Sequence, residues 1–168
     1  MKKGDSKTKN GFTIIEVSLV LAIAGLIFLM MLVALPALRA SERDTERREA
    51  VVLLIDAIKK YQSNNRGALP SNWTTFRNKY LGSNWVEPLT GEKYTINVKD
   101  CGATTGANCT NAGFVSDVYN KAFDEMKGKM VVVKKATCDG TRAKGTSNPR
   151  KVAVLYRLER ADVYCANS

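Results

Sequence analysis

From Phe12 to Leu38 the chain runs for 27 residues with one charge, the carboxylate of Glu16. A helix rises ~1.5 Å per residue, so this run is roughly 40 Å long, enough to cross a ~30 Å hydrocarbon core. It is apolar on every side and has to be surrounded by lipid or by other helices. At Arg39 the pattern changes. Arg39, Glu42, Arg43, Asp44, Glu46, Arg47, Arg48 and Glu49 follow in close order. Then Ala50, Val51, Leu54, Ile58 and Tyr61 recur at helical spacing, with Val52, Leu53 and Ile55 broadening the stripe. Asp44–Arg48 and Asp56–Lys60 are acid-first i,i+4 pairs, and the charge run otherwise reads as a solvated face. A stop signal comes only at Asn64-Asn65-Arg66-Gly67, with Pro70 just beyond. The pattern predicts one helix from about residue 13 to 65, with a membrane half (12–38) and an amphipathic half (39–66).

Residues 67–168 break into shorter pieces at the turn signals Gly67–Ser71, Gly82-Ser83 and Pro88–Gly91. Lys93–Lys99 alternates through Tyr94, Ile96 and Val98 and reads as a strand. Lys129–Thr137 and Lys151–Glu159 read as two more, and Ser116–Lys127 as a short helix. A long amphipathic helix followed by strands predicts an α+β head with an antiparallel β-sheet packed on that helix. Trp73, Phe76 and Trp85 are expected to pack within this head and not to form a binding platform.

Ahead of the apolar run, residues 1–11 carry Lys2, Lys3, Lys7 and Lys9 against Asp5, a flank expected on the cytoplasmic side. The run is too long for an ordinary cleaved secretory signal, and Pro36-Ala37-Leu38-Arg39 is a poor small-residue cleavage site. Hydropathy alone therefore gives an uncleaved signal anchor. The local pattern says more. Lys9-Asn10-Gly11 followed by Phe12-Thr13-Ile14-Ile15-Glu16 resembles the type III signal of type IV pilins and their relatives. Gly25 falls where that family often has a glycine, whereas Pro36 lies a few residues beyond its usual proline.

The resemblance spans about 30 residues, and it implies a pilin-like fold and a life cycle. A prepilin peptidase would remove the leader 1–11 between Gly11 and Phe12, and Phe12 would be N-methylated. Glu16 would be the assembly residue. The chain would begin as a single-pass precursor in the inner or cytoplasmic membrane and end in a cell-surface filament. Implied partners are identical or sibling pilins, a membrane platform and assembly ATPases; implied outputs are adhesion, twitching motility or DNA uptake. The physics agrees, because a carboxylate inside lipid is costly. Pairing it with the free amine of Phe12 on a neighbouring copy removes much of that cost. Ala22, Ala24 and Gly25 are small enough for close helix approach, and Pro36 predicts a kink near residues 32–36. Two rivals remain: a pseudopilin of a type II secretion or competence system, and a signal-anchored monomeric binding module.

Cys101, Cys109, Cys138 and Cys165 all lie beyond the apolar run, and an even count in an exported head favours disulfides. Spacing leaves three pairings open. The expected pairs are Cys101–Cys109, closing a Gly/Thr-rich loop, and Cys138–Cys165, which resembles the C-terminal disulfide loop of type IV pilins. With no histidine and no C-x-x-C, neither a metal site nor a cofactor is expected. The missing histidine also removes the usual general base, and no G-x-S-x-G, phosphate loop or S-x-x-K is present, which argues against an enzyme. The formal charge is +10, and residues 121–160 hold eleven Lys/Arg against four Asp/Glu. Lys134, Lys135, Arg150 and Lys151 are therefore candidates for a basic surface facing DNA or an acidic cell surface, with a merely solvated face as the plain alternative. Phe123 and Tyr156, with Tyr164 just beyond, are too sparse to suggest base stacking.

Overall fold

The structure, a computed structural model, describes residues 11–101, 106–109, 114–160 and 162–168. The leader residues 1–10, and residues 102–105 of the Gly/Thr-rich loop, lie outside these. The chain forms two compact units, Met1–Arg39 and Ala40–Ser168. Helix α1 (Ile14–Asn64) begins in the first and ends in the second. In the first unit it is long and apolar enough to cross a membrane, and it continues through Pro36.

In the second unit α1 is followed by α2 (Trp73–Tyr80), β1 (Thr95–Asp100), α3 (Phe114–Asn120) and α4 (Phe123–Met126). Strands β2 (Lys129–Lys134), β3 (Ala136–Asp139), β4 (Arg142–Gly145), β5 (Val152–Arg157) and β6 (Val163–Asn167) complete it. Four strands make one sheet in the order β1-β2-β5-β6, and β3-β4 is a separate hairpin. The fold is α+β, but the sheet is not antiparallel throughout. β1 and β2 run parallel, with Asp100 beside Lys134, whereas β2-β5 and β5-β6 are antiparallel. Parallel neighbours need a crossover of a dozen or more residues, and the segment between β1 and β2, carrying α3 and α4, provides it.

Both faces of the sheet are covered. One face contributes Met130, Val132, Val154 and Tyr156 to a core shared with Val51, Leu54, Ile55 and Ile58 of α1. The other contributes Val131, Val133, Ala153 and Leu155 to a second core with Val115, Val118, Met126, Ala136 and Ala143. A strand buried on both sides needs apolar residues at consecutive positions, which is why β2 reads Met-Val-Val-Val and β5 Val-Ala-Val-Leu without alternation.

The expected strand Lys129–Thr137 ends sooner, because Lys135 takes a left-handed backbone (φ 54°) that closes β2 and starts β3. The short helix expected at Ser116–Lys127 is two helices, α3 and α4. On α1, Ile55 is buried as the stripe predicts, but Val52 and Leu53 remain exposed. Phe76 and Trp85 are buried, and the Trp85 indole N–H donates to the Ala50 carbonyl of α1 at 3.0 Å. The cysteines join as Cys101–Cys109 and Cys138–Cys165. The second bond ties the hairpin to β6 across 27 residues of sequence, a loop closure worth roughly 3–4 kcal/mol in the chain-entropy picture.

Tyr94 sits wholly inside the first core between Trp85 and Tyr156, and its hydroxyl has no hydrogen-bond partner among the described residues. A buried polar group left unpaired costs about 1–3 kcal/mol. Tyr94→Phe keeps the ring contacts and removes the cost, so thermal unfolding of the variant is expected at an equal or higher Tm; a clear drop would mean the hydroxyl has a partner.

Candidate functional site

Three groups of residues carry chemistry, and each is built differently. The first is the start of α1. Gly11, Phe12 and Thr13 precede the helix, and all are exposed, Phe12 by 85%. The Thr13 hydroxyl accepts the Glu16 N–H at 3.3 Å, so Thr13 caps the helix and places Glu16 in its first turn. Thr-x-x-Glu is the sequence signature of such a cap, a signal the hydrophobic pattern alone passes over. A carboxylate there is also favoured by the helix dipole. No cation pairs with the Glu16 carboxylate among the described residues.

Two glycines in this unit have no packing reason to be glycine. A Cβ added at Gly11 or at Gly25 meets nothing within 4 Å, and neither has a positive φ. Gly25 sits in a helix interior, where glycine costs about 1 kcal/mol relative to alanine.

The second group overturns the expected solvated face on residues 39–49. Asp44 and Arg47 turn inward and are buried with Glu87. Arg47 donates through Nε (2.9 Å) and Nη2 (2.5 Å) to Glu87 Oε1, and through Nη1 to Asp44 and Glu159, each at 2.9 Å. Its helical acid partner is thus Asp44 at i−3, and the expected Asp44–Arg48 pair does not form; Arg48 lies over the Tyr164 ring instead. Arg43 forks onto Glu159 at 3.0 and 2.7 Å. The remaining carboxylate oxygens are used as well. Asp44 accepts the main-chain N–H groups of Glu159 and Arg160, and Glu87 those of Leu89 and Thr90. Burial works against the Arg47 charge, but the bonds from Glu87, Glu159 and Asp44 outweigh it and hold the guanidinium above its ordinary range. The Arg43 fork, with help from Arg47, draws Glu159 down from 4.5 to about 2.

The third group is the basic set. Lys134, Lys135 and Arg150 line one cavity of about 480 Å³, together with Asp100 and Arg66. Lys151 does not line it; its ammonium donates to the Ser168 carbonyl at 2.5 Å. Arg66 was not distinguished by the sequence pattern, which marks Asn64–Gly67 only as a helix stop. The tertiary fold brings it beside residues some 70 to 85 positions away.

Two measurements check the charge cluster. A group whose folded value lies below its unfolded one stabilises the fold above that unfolded value, and the gain is lost as pH falls through the folded value. For Glu159 the window runs from 4.5 down to about 2, and a shift of this size is worth up to about 3 kcal/mol. Glu159→Gln should flatten that part of the stability–pH curve in urea titrations; an unchanged acid limb would refute the assignment. Arg47→Leu leaves Glu87 buried and unpaired, at an expected cost of about 3–5 kcal/mol. Adding Glu87→Gln should recover part of the loss, and simple additivity of the two changes would argue against coupling.

No protein-family model matches this chain, and no curated protein or solved structure does so either.

Proposed function

We propose that the chain is the structural subunit of a type IV pilus, cut between Gly11 and Phe12 and polymerised through residues 12–38. The observation that carries this reading is the uncovered apolar helix with a carboxylate in its first turn that no cation pairs with among the described residues. From Phe12 to Leu38 nearly all large hydrophobic side chains are exposed, whereas the second unit exposes only Val52, Leu53 and Leu89 among its described residues. Lipid can cover that surface before assembly, and helices of other copies can cover it afterwards.

Glu16 needs a cation within the apolar environment, and cleavage ahead of Phe12 supplies one on each neighbouring copy. Pairing between copies then favours a staggered bundle over isolated helices. Gly11 and Gly25 support the same reading: neither is needed by the chain's own packing, so the first fits recognition by a peptidase and the second close approach of another helix. In the filament the Ala40–Ser168 units would form the outer surface and carry adhesion, motility or DNA uptake.

Mass spectrometry of the N-terminus tests the proposal, comparing sheared surface material with membranes. A chain beginning at methylated Phe12 and abundant in the sheared fraction is expected, and Glu16→Ala should abolish that fraction while cleavage continues. The processed end in membranes alone would indicate a pseudopilin. An intact leader would indicate a signal-anchored protein and sink the proposal.

A further inference from the structure

Among the described residues, two that are not glycine hold a left-handed backbone: Arg66 (φ 54°) and Lys135 (φ 54°). They are 69 positions apart, one in the turn after α1 and the other between β2 and β3, yet they line the same cavity. Side chains rarely adopt this conformation, and glycine or asparagine would suit either turn better. Strained residues of this kind gather where function keeps them. Here both are cations.

The surroundings are organised around the same feature. Lys134 and Arg150 line the cavity too, giving four cations, and Asp100 is the single acid among its described walls. Asp100 lies 3.3 Å from Lys134 and 3.6 Å from Lys135, so it is shared between them. Neither arginine has an ion-pair partner among the described residues. Arg150 is held in place: its N–H donates to Asn148 at 3.0 Å, and its carbonyl accepts from Gln62 at 2.7 Å. Its side chain lies flat against Gly67, where an added Cβ would sit 2.6 Å from Nε. Gly67 also needs its positive φ (84°), so both space and backbone reserve that position for glycine.

We infer that this cleft is a binding site for a phosphate-type oxyanion. Two guanidinium forks with two ammonium groups match the several acceptor oxygens of a phosphoryl group better than the single plane of a carboxylate. No aromatic ring lines the cavity among the described residues, so a nucleic acid would be held by its phosphates and not by stacked bases. Asp100 keeps the two lysines in position while the site is empty and competes with the ligand when it arrives. The site does not depend on polymerisation.

Calorimetric titration of the full chain in nonionic detergent micelles at low salt tests this, with pyrophosphate and a short DNA duplex as probes. Saturable binding of at least one probe is expected. Pyrophosphate binding without duplex binding identifies a free or terminal phosphate as the ligand, and duplex binding identifies a phosphodiester chain. Arg66→Asn/Lys135→Asn removes two cations while relieving both strained turns, so it should weaken binding more than about tenfold with Tm unchanged or raised. Asp100→Asn should tighten binding. Lys59→Gln/Lys60→Gln takes the same charge from the exposed face of α1 and should leave binding unchanged. Failure of both probes to bind, an unaltered affinity in Arg66→Asn/Lys135→Asn, a weaker complex in Asp100→Asn, or an equal loss in the lysine control would overturn the assignment.

Discussion

The second unit depends on the way Arg47 is buried. An arginine removed from water is tolerated only when its donors are met, and here three carboxylates meet them from three parts of the chain. Asp44 lies one helical turn away, Glu87 comes from the segment before β1, and Glu159 follows β5. Each carboxylate in turn accepts main-chain N–H groups or the Arg43 fork, so the cluster is closed on itself. Such a cluster adds modestly to stability compared with apolar packing, but it fixes orientation sharply. Moving α1 by one residue would rotate Arg47 by about 100° and leave buried charges unpaired.

That fixed helix is one of the two covers on the sheet. The other is made of α3, α4 and the β3-β4 hairpin, with the disulfides at Cys101–Cys109 and Cys138–Cys165 holding short elements that have little core of their own. The parallel β1-β2 pair follows from this second cover, because the crossover between them is what fills it. At one end of this arrangement the turn after α1, the turn after β2 and the residue leading into β5 come together. The basic cleft lies there.

The two units contrast in how their polar and apolar groups are satisfied. In the second unit almost every large hydrophobic is covered, and its buried charges are paired. In the first, residues 12–38 have no cover and Glu16 has no partner among those described. Under the proposed function that bare surface is covered by lipid or by other copies of the helix. The proposed filament rests on this asymmetry, and the oxyanion cleft belongs to the folded unit alone.

The apolar run, the single carboxylate in it, the helix stop near Asn64 and the existence of β1, β2 and β5 were legible in the sequence. They rest on local rules: periodicity, charge exclusion and turn chemistry act over a few residues. The Thr13 cap on Glu16 was missed, although Thr-x-x-Glu is a local signal, because the hydrophobic pattern does not carry it. The inward turn of Asp44 and Arg47 was not legible, because a charge run looks identical whether water or Glu87 and Glu159 face it. The parallel pairing of β1 with β2 was hidden for a related reason, since Val131-Val132-Val133 signals burial on both faces without naming the neighbour. Nor did anything local mark Arg66 as a companion of Lys135. Local sequence set which segments become helix or strand, because those choices are made within a turn or two. Only the tertiary structure decided which charges meet, because partners 40 to 116 positions apart are brought together by packing alone.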